Sequence, residues 1–230
     1  MKSSFAALLF LLAVISGDFA SAASKDYIVT KGPAGIWSLA VTASGTSVVK
    51  GPFVPYPEPL ENENPDPDPA MLAASPNGEF LYALYGAVFG PFQLYSFQMI
   101  NGTPVQVSLV VDGQISYEDG GIPVALTASA NYAFVATTPT DITHPASILW
   151  VFRSTNGVLK LVGRYLLPTV TYPLSVQIDA GEHFVYINYP NPPNGTTPAN
   201  ETAIYDIDSF PPKLVRGVQP QEGGWLIGVQ

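Results

Sequence analysis

Short aromatic and β-branched runs recur along this chain at a spacing of 52 residues. With Tyr82, Phe134 and Tyr186 in register, the runs are Phe80-Leu81-Tyr82-Ala83, Tyr132-Ala133-Phe134-Val135 and Phe184-Val185-Tyr186-Ile187. Such residues fit a pleated, half-buried surface, and each run follows a turn-forming triplet: Pro76-Asn77-Gly78, Ser129-Ala130-Asn131 and Ala180-Gly181-Glu182. Before each turn lies an apolar segment (Met71 to Ser75, Pro123 to Ala128, Leu174 to Asp179) that reads as a first strand. After each run come a loop and a third strand (Gln93 to Ile100, Ile148 to Ser154, Ala203 to Asp208). A turn then leads to a fourth strand: Val105 to Val111, Leu159 to Leu167, Lys213 to Gln219. Two of these last turns are Asn101-Gly102 and Asn156-Gly157, the strongest short hairpin signal a sequence offers.

The N-terminal part supplies three more strands, Tyr27 to Thr30, Gly35 to Val41 and Thr46 to Phe53, with no first strand ahead of them. The C-terminal Gly224-Trp225-Leu226-Ile227-Gly228-Val229 falls, in phase, where a first strand belongs. No helical period of useful length competes, and 23 prolines argue against one. Self-similarity at this period means stacked units that bury their faces only against one another. The expected fold is all-β: a β-propeller of about four four-stranded antiparallel blades, at about 25–54, 70–111, 122–167 and 173–219. If 224–229 pairs with Tyr27 to Thr30 the ring closes; otherwise its edges stay open to self-association.

Tyr27-Ile28-Val29-Thr30 followed by Gly35-Ile36-Trp37, together with Ala74-Ser75-Pro76-Asn77-Gly78-Glu79-Phe80-Leu81-Tyr82, resembles the lactonase-type (6-phosphogluconolactonase-like) propellers. The resemblance spans nearly all of the chain after residue 22. It implies a blade architecture, usually of seven blades, and a lactone-hydrolysing activity as one reading.

Residues 1–22 combine Lys2, an apolar run from Phe5 to Ile15 and the small-residue end Ala20-Ser21-Ala22, the pattern of a signal peptide cut after Ala22. That run is too short to span a bilayer, so the expectation is a secreted or periplasmic domain of residues 23–230. Lys and Arg total 9 against 18 Asp and Glu, a net charge of −9, with no basic cluster to neutralise phosphates, which excludes nucleic acid as a partner. Cysteine is absent, so disulfides, thiol nucleophiles and zinc-thiolate sites are excluded and the core alone must hold the fold.

In a propeller, the loops joining second to third strands and one blade to the next share a face. Here that face would carry Glu61, Glu63, Asp66 and Asp68, then Tyr117, Glu118 and Asp119, then Asp141 and His144, then Tyr172, Asn191, Asn194 and Glu222. Clustered carboxylates suit a hard cation such as Ca2+, although no twelve-residue calcium loop is present. His144 is the candidate acid-base residue, whereas His183 reads as structural. No Gly-x-Ser-x-Gly elbow exists for a serine nucleophile. Arg153 and Arg164 fall on outer strands, away from a channel. Trp37, Trp150 and Trp225 read as core aromatics, with Tyr85 and Tyr189 as loop-edge aromatics able to stack on a ligand. Asn101, Asn194 and Asn200 match the N-glycosylation pattern. The expected function is an exported module that binds a small-molecule or protein ligand on its acidic face; the alternative is a lactone hydrolase, with a cation held there.

Overall fold

The computed structural model describes residues 20–22, 27–32, 35–41, 47–53, 70–86, 92–110, 122–138, 147–167, 173, 175–179, 181–189 and 201–218. They form sixteen strands in four antiparallel sheets of four, each sheet running in chain order, with no helix among the described residues. The first sheet is β1 (Ala20–Ala22), β2 (Tyr27–Gly32), β3 (Gly35–Val41) and β4 (Ser47–Phe53), and the second is β5 (Met71–Ala74), β6 (Phe80–Gly86), β7 (Phe92–Ile100) and β8 (Thr103–Val110). The third holds β9 (Ile122–Ala128), β10 (Tyr132–Thr138), β11 (Ile148–Thr155) and β12 (Val158–Leu166). The fourth holds β13 (Ser175–Ile178), β14 (Phe184–Tyr189), β15 (Glu201–Asp206) and β16 (Lys213–Val218).

One element differs from expectation. The first sheet does have an inner strand: Ala20, Ser21 and Ala22 pair with Val29, Ile28 and Tyr27. Three small residues carry no alternation to read, and their place at the end of an apolar leader gave them another meaning. The strand expected at 224–229 lies outside the described residues.

Local chemistry explains the shared shape of the sheets. Asn101 and Gly102 have φ of 52° and 73°, and Asn156 and Gly157 have φ of 52° and 78°, the paired positive values that a two-residue turn needs to match strand twist. In every sheet the register slips by one residue between third and fourth strands, at Ile36/Ser38, Ser96/Phe97, Val151/Phe152 and Ile204/Tyr205. A bulge there adds twist and turns the outer edge away from further pairing.

Four sheets enclose three cores. Val29 and Ile36 meet Leu81, Ala83, Tyr95 and Phe97 between the first and second sheets. Tyr82, Leu84, Phe92 and Leu94 meet Val135, Trp150 and Phe152 between the second and third. Phe134, Ala136, Leu149 and Val151 meet Val185, Ile187, Tyr189 and Tyr205 between the third and fourth. The inner strands follow in the same order, β1 against β5, β5 against β9 and β9 against β13, and among the described residues β13 has no comparable packing on β1 or β2. Among the described residues the sheets follow one another as an arc of blades.

A second contact repeats along the arc. The first aromatic of each second strand covers the hairpin between third and fourth strands of the next sheet. Tyr27 lies over Gly102 and Phe80 over Gly157, while Tyr132 packs on Phe210 with ring centroids 5.4 Å apart. Phe184 holds the same place on the fourth sheet.

Candidate functional site

Alternating strand direction puts the ends of every second and fourth strand at one end of the arc and the tight turns at the other. The segments leaving the first end are 33–34, 54–69, 87–91, 111–121, 139–146, 168–172 and 190–200. All eight ligand-face residues singled out from the sequence, Asp66, Asp68, Tyr117, Glu118, Asp119, Asp141, His144 and Tyr172, belong to these segments and lie outside the described residues. Asn194 and Asn200 lie outside as well. Asn101 is exposed in its turn, where its carbonyl accepts the Lys50 ammonium at 3.1 Å.

Two aromatic expectations are corrected. Tyr85 and Tyr189 are core residues, 7% and 1% exposed. Tyr85 meets Tyr95 edge to face at 5.2 Å, because strand alternation turns both tyrosines into the gaps between sheets. Trp150 is fully buried, as its run predicts. Arg153 lies on the rim, donating to the Tyr132 hydroxyl at 3.2 Å and covering that ring.

Described chemistry concentrates at the turn end of the fourth sheet. Asp179 closes the turn before β14: its carboxylate accepts the backbone N–H groups of Gly181 at 3.0 Å, His183 at 2.9 Å and Phe184 at 2.6 Å. Ser75 and Ser129 do the same with one hydroxyl each, accepting from Phe80 and Tyr132 at 3.0 Å. The tighter cap holds Glu182 at a φ of 58°, a strained value for a side chain of its size.

That strain aims Glu182 at the neighbouring blade. Its Oε1 accepts Ala130 N–H at 2.5 Å and Asn131 N–H at 3.2 Å, and its Oε2 accepts Asn131 Nδ2 at 2.7 Å. Beside it, His183 Nδ1 and Asp208 Oδ1 are 2.6 Å apart, with both side chains more than half exposed. The hydrogen bond His183 makes to Asp208 and the Asp208 charge hold the His183 pKa above the ordinary histidine value, against desolvation and with help from Asp179 and Asp206. His183 is therefore a surface titrating group rather than a purely structural one. Its ring is tethered at Nδ1 and can exchange protons with solvent. Among the described residues no group of three or more His, Asp or Glu side chains is arranged to hold a metal ion.

The sequence also gave no warning of a polar row on the side of the fourth sheet turned away from the third. Thr202 Oγ1 donates to Asn188 Oδ1 at 2.6 Å and Asn188 Nδ2 donates to Ser175 Oγ at 2.7 Å. The equivalent places hold Met71, Leu84 and Leu94 in the second sheet and Ala125, Ala136 and Leu149 in the third. Aligning the repeats position by position would have exposed this switch from apolar to hydrogen-bonding side chains.

No family model and no curated protein matches the sequence. Solved structures do. A 6-phosphogluconolactonase-like protein from Bacteroides uniformis matches with a TM-score of 0.55 at 15% identity, over 85% of this chain and 54% of that one. The β-propeller domain of Cps50 (Swd1) from Myceliophteria thermophila matches with a TM-score of 0.53 at 16% identity, over 85% of this chain and 56% of that one. The fold is a β-propeller. Its chain spans about half the length of each of these propellers, and at such identity the likeness is one of fold alone.

Proposed function

We propose that this chain is an exported β-propeller module that binds a positively charged ligand, or a protein surface bearing one, at the loop end of its blades. One observation carries the reading. By strand order seven connecting segments start and end there, and their sequences contain nine Asp and Glu and no Lys or Arg. Like charges crowded at one end of a domain raise the local concentration of cations and steer cationic partners. Among these residues Asp66, Asp68, Glu118, Asp119 and Asp141 are the candidates for direct contact, with Ca2+ as the simplest ligand of the right hardness. Export rests on the leader pattern of residues 1–22. Calorimetric titration of Ca2+ into the chain, repeated with Asp119→Asn and Asp141→Asn together, tests it. Binding weakened at least tenfold by the pair supports the acidic end as the site, whereas equal binding, or no binding of Ca2+ or of a cationic peptide, overturns it.

The fold shared with a 6-phosphogluconolactonase-like protein favours a second reading, lactone hydrolysis at the same end with the cation polarising the carbonyl. A panel of simple lactones with and without Ca2+ separates the two: hydrolysis that depends on the cation and falls with Asp66, Asp119 or Asp141 changed to Ala favours the enzyme.

A further inference from the structure

We propose that Asn101 is an N-glycan acceptor, carrying its sugar at the turn end of the second blade, opposite the loop end assigned to ligand binding. The inference rests on the export reading, since only a secretory route brings the chain to the oligosaccharide donor and its transferase.

The acceptor motif is Asn101-Gly102-Thr103, and the fold gives it a defined place. β7 ends at Ile100 and β8 begins at Thr103, and these two residues pair across the hairpin, so Asn101 and Gly102 make up the whole turn. Their positive φ values, 52° and 73°, are what a two-residue turn requires. The first sheet pins the turn from behind: Tyr27 covers Gly102, and Lys50, 5.7 Å from the centroid of the Tyr27 ring, donates to the Asn101 carbonyl at 3.1 Å. These contacts engage the backbone of Asn101 and the space over Gly102. Asn101 is exposed, so a group added at its Nδ2 extends into solvent and breaks none of them.

Two comparisons within the chain single this position out. Asn156-Gly157 makes the same turn, with φ of 52° and 78°, an exposed asparagine and Phe80 over the glycine, but Val158 stands where the acceptor motif needs a hydroxyl. In Asn200-Glu201-Thr202 the threonine is buried in β15, and its hydroxyl is spent on Asn188 Oδ1 at 2.6 Å. The hairpin of the second blade unites what these two places hold apart, a complete motif and an exposed turn.

The transfer balances in one step. Asn101 Nδ2 attacks C1 of the first sugar of a lipid-pyrophosphate-linked oligosaccharide. A C1–N bond forms, the C1–O bond to the pyrophosphate breaks, the lipid pyrophosphate leaves and Nδ2 gives up one proton. The added sugar is bulky and hydrophilic, and it stands at the head of β8, the outer strand of its sheet, which carries the exposed Val105 and Val107. Cover there hinders that edge from pairing with another strand.

The test translates the full chain in the presence of secretory microsomes. The chain is expected to be protected from added protease, which tests export, and to gain mass that endoglycosidase H removes. Asn101→Gln and Thr103→Val are each expected to lose one glycan step on a gel, a readout that does not require either variant to be stable. The glycosylated chain is expected to melt at the same temperature before and after trimming by the endoglycosidase. A protected chain with no removable mass, or with the same number of steps in Asn101→Gln, overturns the proposal and leaves export standing. A lower melting temperature with the glycan attached overturns its placement in solvent. A chain still open to protease overturns the export reading and the proposal with it.

Discussion

Glu182 of the fourth blade reaches across to the third, its carboxylate accepting the backbone N–H of Ala130 at 2.5 Å. Together with the two bonds from Asn131, this makes a clamp between consecutive turns. Bonds to a charged acceptor are worth more than neutral ones, but the site is open to water, so Glu182→Ala is expected to cost about 1 kcal/mol. Urea denaturation checks it: an unchanged midpoint would mean that the clamp adds nothing to blade docking.

Gly157 combines a φ of 78° with close contact, since a Cβ there would lie 2.6 Å from Phe80 Cε1. Gly157→Ala is expected to destabilise by about 2 kcal/mol or more, through backbone strain and a displaced ring. Adding Phe80→Leu should relieve the steric part and leave the backbone part. A double variant no better than the single one, measured by thermal unfolding, would assign the whole cost to φ.

His183 makes stability depend on pH. Its pKa is raised in the folded state by the bond to Asp208, so its contribution is complete below the unfolded value of about 6.5 and fades as pH rises through the higher folded value. The melting temperature is therefore expected to fall slightly as pH rises above about 6.5, and Asp208→Asn should flatten that slope. An NMR titration in which His183 shows the ordinary histidine midpoint would remove the basis for this expectation.

Asn188 is buried between two hydroxyls, accepting from Thr202 and donating to Ser175. Asn188→Ala leaves both without this partner and is expected to cost about 1–3 kcal/mol. Asn188→Leu, which restores the residue type of Leu84, tests whether that face wants apolar cover. Stability below that of the alanine variant would show that the row is built to stay polar.

The turns at Asn101-Gly102 and Asn156-Gly157 were legible because their residues alone demand positive φ, and they fixed where third strands end and fourth strands begin. Runs around Tyr82, Phe134 and Tyr186 were legible because aromatic residues there recur in one register. β15 runs Glu201–Asp206 rather than to Asp208, because the Asp206 carboxylate accepts Asp208 N–H at 2.9 Å and starts the turn early. Strand β1 escaped notice because Ala-Ser-Ala has no pattern. The His183–Asp208 pair and the Glu182 clamp escaped because they join residues 25 and about 51 positions apart, through a turn conformation that no local propensity announces.

Blades that touch only their neighbours make a one-dimensional object out of a three-dimensional one. The second and third sheets are gripped on both faces, and they hold most of the residues with no exposed surface, including Tyr82, Leu94, Phe134, Trp150 and Phe152. Among the described residues, sheets one and four each share a core with one neighbouring sheet only. Resistance to opening is thus graded along the chain rather than shared, with amide protons in β6, β7, β10 and β11 exchanging last and those of the end sheets first. Such a protein unfolds by unzipping inward from its ends, in more than one step.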